Sequence, residues 1–298
     1  MIRWSAARVL APAKINLGLE ILGRRPDGFH EIRSVLAMVD LVDEITITHV
    51  PGRSQPDLRG VPGVAVDDNL IARAVMLFSR FTDTPRGYDI RVVKRIPAPA
   101  GLGSASSDAA ATLLALNDMH GRPVNFDQMH ALAAMLGSDV PFFLGAPVAA
   151  VRGRGTDLLP LPTISGHVLI ATPRIALDAK TTRLYGLLAP DDFSDGSTIH
   201  QLTAAIINGD PIDPACLGNA FERPLRALAP ATRILVDQMR LAGCSHVARS
   251  GAGPAHYALF HDRASAEWVA ATLRSGVGSD VQVHVASFRA RPLAAEPA

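Results

Sequence analysis

The segment IPAPAGLGSASSDAAATLLALN, at residues 96–117, constrains the fold of this chain more than any other. It follows the strand-like run YDIRVVKRI, begins with almost no bulky side chains, and continues as a helical pattern. The first turn of a helix has unpaired backbone N–H groups and a partial positive charge, and small residues let an anion approach them. The segment therefore favours a phosphate-binding loop, with a tight connection packed by small residues as the alternative.

The commonest phosphate loops do not fit this segment. The pattern G-x-x-x-x-G-K-[ST] is excluded because the loop contains no lysine. A dinucleotide fingerprint, G-x-G-x-x-G, begins at Gly101, but its sixth position is Ser106. The serines of the loop add hydroxyl groups, and Ser107 or its neighbour is a candidate oxygen ligand for Mg²⁺.

Length and element order bound the architecture. A chain of 298 residues is long for one core, so we expect two domains. Strand and helix patterns are mixed without strict alternation, which favours an α+β architecture over a doubly wound parallel sheet. We place the boundary at Pro160-Leu161-Pro162, which gives domains 1–160 and 161–298.

Charge and hydropathy exclude several classes of partner. The net charge is +1, which provides no general attraction for nucleic acid or an anionic membrane. No apolar run approaches the roughly 20 residues that span a bilayer, and the N-terminal apolar stretch is short and interrupted by Arg8. We therefore expect a cytoplasmic protein with a small-molecule substrate, and Cys216 and Cys244 as buried free thiols. The sequence does not indicate the oligomeric state.

Local patterns predict several elements of secondary structure. A helix is expected over about 106–120, helical structure over 216–241, and a strand over 280–287. The run DDNLIARA predicts a helix with Asp67 or Asp68 near its N-cap. The last eight residues, RPLAAEPA, are predicted to be a frayed tail.

The pattern P-x-x-x-G-L-G-S-x-S-S at residues 97–107 resembles the nucleotide loop of the GHMP kinases, a superfamily that includes galactokinase, homoserine kinase and mevalonate kinase. Residues 11–34, 136–161 and 248–260 also resemble, in order and spacing, the branch whose acceptor is a cytidine diphosphate-linked polyol of isoprenoid biosynthesis. The resemblance implies a two-domain GHMP kinase fold, with an N-terminal ribosomal-protein-S5-like nucleotide domain and a C-terminal ferredoxin-like domain. It also implies ATP as co-substrate, with Mg²⁺.

Two residues are candidates for the catalytic chemistry. Asp139 follows a predicted helix end and precedes the apolar run VPFF, which would desolvate its carboxylate. A capping aspartate is the plain alternative. Lys14 lies in a largely apolar strand, where the residues alone favour a lysine that snorkels to the surface. The resemblance implies that Asp139 is the catalytic base and that Lys14 pairs with it and with the acceptor hydroxyl.

The resemblance also implies the binding residues. The ATP-binding set comprises a lysine and the loop that follows it: Lys94, Pro97, Ala98, Pro99, Ala100, Gly101, Leu102, Gly103, Ser104, Ala105, Ser106 and Ser107. The substrate-binding set combines an amide, an aromatic slot for a nucleobase, and a second glycine loop: Asn16, Phe29, His30, Tyr185, Ser250 and Gly251. Ser250 is assigned to the substrate diphosphate. The family usually has tyrosine where this chain has Phe29, a change that keeps stacking but loses a hydroxyl group.

Three alternatives remain open at this stage. A homoserine or mevalonate kinase type would need neither cytidine nor an aromatic slot near Phe29. A catalytically silent relative would only sense a metabolite, although the presence of both Lys14 and Asp139 argues against it. An ordinary α+β domain with a packing loop would not bind ATP. The loop is also poorer in glycine than is usual in the family, and no acidic residue near it is obviously placed to bind Mg²⁺.

Overall fold

The structure is a computed structural model that describes residues 2–61, 63–65, 68–175 and 180–298. Strands and helices are mixed along the chain, and they form two sheets, so the α+β prediction is confirmed. The proposed cap Asp67 lies outside the described residues. Within these residues no helix combines the length and the apolar character that a bilayer crossing requires.

The strands of the two sheets are numbered in chain order. They are β1 (Ala6–Arg24), β2 (His30–His49), β3 (Asp57–Arg59), β4 (Tyr88–Val93), β5 (Val148–Gly153), β6 (Asp157–Pro160), β7 (His167–Pro173), β8 (Ala248–Arg249), β9 (His256–Phe260), β10 (Val281–Ser287) and β11 (Ala295–Pro297).

The α-helices are numbered in the same way. They are α1 (Leu70–Thr82), α2 (Ser104–Met119), α3 (Phe126–Leu136), α4 (Val140–Phe143), α5 (Lys180–Gly186), α6 (Ser197–Asn208), α7 (Glu222–Leu228), α8 (Ala231–Leu241) and α9 (Arg263–Gly276). Short 3₁₀ turns occupy Pro190–Asp192 and Pro214–Leu217.

The first sheet is built around the long strand β2. Its first half pairs with β5 and its second half with β4, and β1 runs antiparallel along nearly its whole length. In the described residues this sheet has seven strands, with β11 against β1 at one edge. Helices α1, α2, α3 and α4 bury apolar side chains against it, and α2 contributes an almost continuous series of small residues.

The second sheet has the order β10-β7-β9-β8 in the described residues. Helices α8 and α9 contribute to the apolar core on one side of it. On the other side, Val168, Ile170 and Tyr257 pack with Ile15 and Leu17 of β1, so the two sheets share a buried core. Strand β1 therefore contacts the second sheet and also carries residues of the candidate site.

Three local predictions need correction. Residues 216–241 are divided into a 3₁₀ turn, α7 and α8, because Pro230 lacks an N–H and disfavours helical geometry at Ala229. The helix predicted to begin at about 106 begins at Ser104. The last residues are not a frayed tail, since β11 pairs with β1 and Arg8 bonds to Glu296 at 2.9 Å. The strand predicted at 280–287 is confirmed, and both cysteines are buried and free.

The predicted cap of α1 also shifts. Asn69 is the N-cap, and its side chain accepts a hydrogen bond from the backbone N–H of Ile71 at 2.9 Å. An asparagine carbonyl satisfies an unpaired N–H of the first turn as well as an aspartate does. The helix itself was correctly predicted.

A bulge in β1 connects the two sheets. Asn16 pairs with Leu36 and Gly18 with Val35, so Leu17 is left out of the ladder. The hydroxyl group of Tyr257, in β9, donates a hydrogen bond to the carbonyl oxygen of Leu17 at 2.9 Å. Burial raises the pKa of this hydroxyl, which keeps it protonated as a donor.

We expect Tyr257→Phe to lower the free energy of unfolding by about 1–3 kcal/mol, because the Leu17 carbonyl would remain buried without its partner. Urea denaturation followed by circular dichroism measures the change. An unchanged unfolding midpoint would show that water or a local rearrangement replaces the bond.

Candidate functional site

A cavity of about 930 Å³ lies where β1, the loop before α2, the start of α4 and the loop before β9 meet. Its lining is mixed: a lysine and an aspartate, glycines of two loops, and aromatic side chains at one end. Such a concave site with a few convergent polar groups is the usual form of a small-molecule site.

The loop before α2 presents a helix N-terminus to this cavity. Gly103 is the N-cap of α2, has a φ of 74°, and lines the cavity together with Gly101. A Cβ atom on Gly103 would lie 2.8 Å from Cζ of Phe143 and 2.9 Å from Cγ of Lys14. Both the positive φ and this close approach require glycine. Because Gly103 has no side chain, no N-cap side chain satisfies the first-turn amides of α2, and such unpaired amides are suited to an anion.

The second glycine loop, which contains Ser250, Gly251 and Gly253, is hydrogen-bonded to the loop before α2. The Ala255 N–H donates to the Ala100 carbonyl at 3.1 Å, and the Ser250 hydroxyl donates to the Gly101 carbonyl at 2.9 Å. A Cβ atom on Gly253 would lie 1.8 Å from the Ala100 carbonyl oxygen, so only glycine permits this approach. The two loops are thus one unit at the cavity wall.

Lys14 and Asp139 meet in this cavity. Nζ of Lys14 lies 3.5 Å from Oδ2 of Asp139, and the lysine side chain is 6% exposed whereas the aspartate side chain is 41% exposed. The backbone N–H of Lys14 donates to the Leu102 carbonyl at 2.9 Å, which fixes the strand beside the phosphate loop. The structure therefore brings together the two residues that the sequence analysis paired.

A chain of buried hydrogen bonds orients the lysine. Nζ of Lys14 donates to Oδ1 of Asn16 at 2.6 Å, and Nδ2 of Asn16 donates to the Ser34 hydroxyl at 2.8 Å. Ser34 in turn donates to the carbonyl oxygen of Gly18 at 2.6 Å. These contacts fix the asparagine amide so that its oxygen faces Lys14 and its nitrogen faces Ser34.

A charged cluster lies beside the start of α2. Lys94 bonds to Asp43 at 2.5 Å, to Asp108 at 2.6 Å and to the Ser104 hydroxyl at 2.5 Å. Asp43 is fully buried and also accepts the backbone N–H groups of Arg95 and Ile96. Burial raises the pKa of Asp108 to about 7, against the opposing effect of Lys94. In this conformation Lys94 is bound to side chains of the protein, so a phosphate would compete with two carboxylates for it.

Aromatic side chains line the other end of the cavity. Phe29 is 49% exposed, and the rings of His30 and Tyr185 stack with a centroid distance of 4.7 Å. Burial lowers the pKa of His30, which favours the neutral imidazole. Burial also raises the pKa of Tyr185. This end of the cavity offers flat apolar surfaces with polar edges, which suits a heteroaromatic ring.

Nine of the twenty predicted residues line the cavity. Eleven do not, namely Ser250 and ten of the ATP-binding set: Lys94, Pro97, Ala98, Pro99, Ala100, Leu102, Ser104, Ala105, Ser106 and Ser107. The lining includes both proposed catalytic residues, both glycines of the first loop and most of the substrate set: Lys14, Asp139, Gly101, Gly103, Asn16, Phe29, His30, Tyr185 and Gly251. Ser250 is fully buried, and its hydroxyl accepts from the Asn16 N–H at 3.3 Å while donating to Gly101. Its side chain is therefore committed to holding the loops and is not available to a diphosphate.

Residues near the site that the sequence analysis missed include Asp43, Asp108 and Arg154. Asp43 lies in the run VDLVDEITIT, which also contains Asp40 and Glu44, so no local signal singled it out as the buried carboxylate. Arg154 lines the cavity from the hairpin between β5 and β6, and its guanidinium carbon lies 3.5 Å from the centroid of the Phe29 ring. The Gly-Arg-Gly pattern marked that hairpin but did not show which way its arginine faces.

The described residues contain no group of three or more His, Cys, Asp or Glu side chains suited to hold a metal ion. The Ser107 hydroxyl, in the first turn of α2, is buried and lacks a hydrogen-bond partner among the described residues. A hydroxyl oxygen is a ligand that Mg²⁺ accepts, and Mg²⁺ in kinases is bound largely by phosphate oxygens. The residues present therefore fit a magnesium ion that arrives with a nucleotide.

Comparison with known proteins gives matches over both halves of the chain. The GHMP kinases N terminal domain matches residues 69–146, and the GHMP kinases C terminal domain matches residues 203–278. The 4-diphosphocytidyl-2-C-methyl-D-erythritol kinase of Dehalococcoides mccartyi is 36% identical over 266 residues, which cover 87% of this chain and 91% of the relative.

Solved structures agree with this assignment. A crystal structure of 4-(cytidine 5'-diphospho)-2C-methyl-D-erythritol kinase superposes with a TM-score of 0.80 at 33% identity, over 94% of this chain and 98% of that one. The homoserine kinase of Cytophaga hutchinsonii superposes with a TM-score of 0.76 at 17% identity, over 99% of each chain, which supports the shared fold alone.

The raised pKa of Asp108 predicts a pH-dependent stability. Between its usual value of about 4 and about 7, the folded protein keeps a proton that the unfolded chain has released, so this group lowers stability as pH rises. Asp108→Asn removes the titration. We therefore expect the wild-type free energy of unfolding, relative to this variant, to decrease between about pH 5 and pH 7 in urea denaturation.

The matched control is Asp237→Asn, at an aspartate whose side chain is 57% exposed. Its difference from the wild type should stay nearly constant over the same pH range. A constant difference for Asp108→Asn as well would show that Lys94 keeps Asp108 ionised throughout.

Proposed function

This chain belongs to the 4-diphosphocytidyl-2-C-methyl-D-erythritol kinase family of the GHMP kinases. We propose that it transfers the γ-phosphoryl group of ATP to the C2 hydroxyl of 4-diphosphocytidyl-2-C-methyl-D-erythritol, an isoprenoid precursor. The observation that supports this most strongly is the Lys14–Asp139 pair, at 3.5 Å, in the same cavity as the N-terminus of α2. Phosphoryl transfer needs an anion cradle, charge neutralisation and a group that orients the acceptor hydroxyl.

The phosphate loop would bind the ATP phosphates. Its glycines expose the first-turn amides of α2, and the partial charge of the helix N-terminus favours an anion there. Three residues of the loop are exposed: Ala98, Pro99 and Ala105. Four others are buried and pack against the protein interior: Pro97, Ala100, Leu102 and Ser104. We assign Lys94 to the nucleotide as well, which requires it to exchange at least one contact of the Asp43–Asp108 cluster for a phosphate or ribose oxygen.

Asp139 would act as the base toward the acceptor hydroxyl. Its carboxylate is partly exposed to the cavity, so it can accept the hydroxyl proton while the oxygen attacks in line, without a phosphoenzyme. Lys14 is buried and fixed by Asn16, and its charge would stabilise the developing alkoxide. Asn16, on the same strand face, would also contact the polyol.

Ser107 is the residue that we propose to hold Mg²⁺, together with ATP phosphate oxygens. When bound, the ion would neutralise negative charge on the phosphate groups. Ser106, at the same helix start, is partly exposed and is placed in the ATP site with it.

The aromatic end of the cavity supports a cytidine-containing acceptor over a homoserine or mevalonate type. Those acceptors have no ring to occupy the space beside Phe29, His30 and Tyr185. Gly251 brings its backbone close to the reacting groups, since a Cβ atom there would lie 2.9 Å from Oδ1 of Asn16 and 3.3 Å from Nζ of Lys14. The cytoplasmic location and the domain boundary at residue 160 stay predictions from the sequence.

We expect Asp139→Asn to lower kcat by about 10²–10⁴-fold, because the amide cannot accept the hydroxyl proton. Affinity for ATP, measured by calorimetry, should change little, since the carboxylate is assigned to the acceptor. Asp237→Asn, far from the chemistry on α8, serves as the control. Turnover at the wild-type rate in a correctly folded Asp139→Asn variant would remove this residue from the mechanism.

Release of ADP from ATP with a panel of acceptors tests the function directly. The purified chain is expected to turn over 4-diphosphocytidyl-2-C-methyl-D-erythritol, and to show no turnover above background with homoserine or mevalonate. Turnover of either alternative, but not of the cytidine compound, would reassign the acceptor within the superfamily. Absence of turnover together with tight binding of ATP would favour a metabolite sensor.

A further inference from the structure

The proposed acceptor carries a diphosphate between its base and its polyol, and this group needs a partner in the cavity. Ser250, to which the sequence analysis assigned it, is fully buried and bonded to Gly101. The first-turn amides of α2 are assigned to ATP. A cationic side chain that lies between the aromatic end and the Lys14–Asp139 pair would meet the requirement.

Arg154 lines the cavity at its aromatic end, on a hairpin that approaches Ser138. Its guanidinium carbon is 3.5 Å from the centroid of the Phe29 ring, which places the charge at the aromatic end. The next residue, Gly155, lies against Ser138, since a Cβ atom on Gly155 would be 3.9 Å from Cβ of Ser138. Ser138 directly precedes Asp139, and all of these residues line the cavity. The hairpin that carries Arg154 thus extends from the ring toward the proposed base.

Within the part of the chain that the structure describes, the Arg154 side chain makes no hydrogen bond or ion pair, so its donors are available for a ligand. The side chain is exposed and lies at the tip of the turn between β5 and β6. Arg25, nearby, shows the contrasting use of a guanidinium, because it bonds to Asp27 and, at 2.5 Å, to Glu31. The Arg25 guanidinium is thus paired with carboxylates of its own loop, whereas the Arg154 guanidinium makes a cation–π contact with the Phe29 ring.

We propose that Arg154 binds the diphosphate of the acceptor and is a specificity-determining residue for acceptors that carry this group. The inference rests on the proposed function. A planar guanidinium donates two parallel hydrogen bonds to phosphate oxygens, and an ammonium group cannot reproduce that geometry. Stacking on Phe29 restricts the guanidinium before the acceptor binds, which lowers the entropy lost on binding.

The test compares binding of cytidine 5'-diphosphate and cytidine, without ATP, by calorimetry. The variants are Arg154→Gln, which keeps a planar polar group without charge, and Arg154→Lys, which keeps the charge without the fork. Arg152→Gln is the matched control, because Arg152 is an exposed arginine on the same hairpin that does not line this cavity. Circular dichroism and ATP affinity report whether each variant is folded.

We expect Arg154→Gln to weaken cytidine diphosphate binding by about 10- to 100-fold, the effect of losing charge-assisted hydrogen bonds. Cytidine binding should change by less than about 3-fold, and Arg154→Lys should give an intermediate loss for the diphosphate. In steady-state kinetics the acceptor KM should rise while the KM for ATP and kcat change little.

The other outcomes overturn the inference in distinguishable ways. Equal losses for cytidine and cytidine diphosphate would mean that Arg154 serves the base or the shape of Phe29. Unchanged binding of both, in a folded Arg154→Gln protein, would exclude any contact with the acceptor. If the wild-type protein bound neither compound and did not turn over the cytidine acceptor, the proposed function itself would fail, and the inference with it.

Discussion

The close contact of the two glycine loops is the constraint on which the rest of the site depends. Three hydrogen bonds join Ala100, Gly101 and Leu102 to Ala255, Ser250 and Lys14, respectively. Because Gly253 lies almost against the Ala100 carbonyl, the loops cannot separate without opening the cavity wall. These contacts together position the start of α2, Lys14 and strand β1 relative to one another. The hydrogen bonds that hold the two loops together are therefore also the ones that shape the candidate site.

The charged side chains of the site differ in burial and in how tightly hydrogen bonds fix them. Lys14 is buried and fixed by Asn16 and Ser34, so in the proposed reaction it would act as a preorganised charge that needs little rearrangement. Asp139 is partly exposed, as the proposed base toward a substrate hydroxyl should be. Behind the loop that precedes α2, Lys94 is held by hydrogen bonds to Asp43, Ser104 and Asp108, so a lysine lies beside the proposed anion site.

Much of this site could be predicted from the sequence because its signals are local. The run of small residues before α2 indicated that either a ligand or a neighbouring part of the chain approaches the helix start closely. The structure places Gly101 and Gly103 at a cavity. The apolar strand around Lys14 and the helix predicted from the run DDNLIARA also follow from short-range periodicity. Asp43, Arg154 and the role of Ser250 could not be assigned, since each depends on contacts with residues far away in the chain.

The sequence by itself determined the α+β class and the helix over residues 104–119 to within two residues, and its family pattern predicted Lys14 and Asp139 as the catalytic pair. These depend on hydrophobic periodicity, on backbone sterics at small residues and on a family pattern distributed along the chain. Only the tertiary structure decided that the last strand pairs with β1, that Ser250 is used to join the loops, and that Arg154 lies over Phe29. The physical reason is that the direction and partner of a side chain depend on strand pairing and loop closure over more than a hundred residues, which local propensity does not encode.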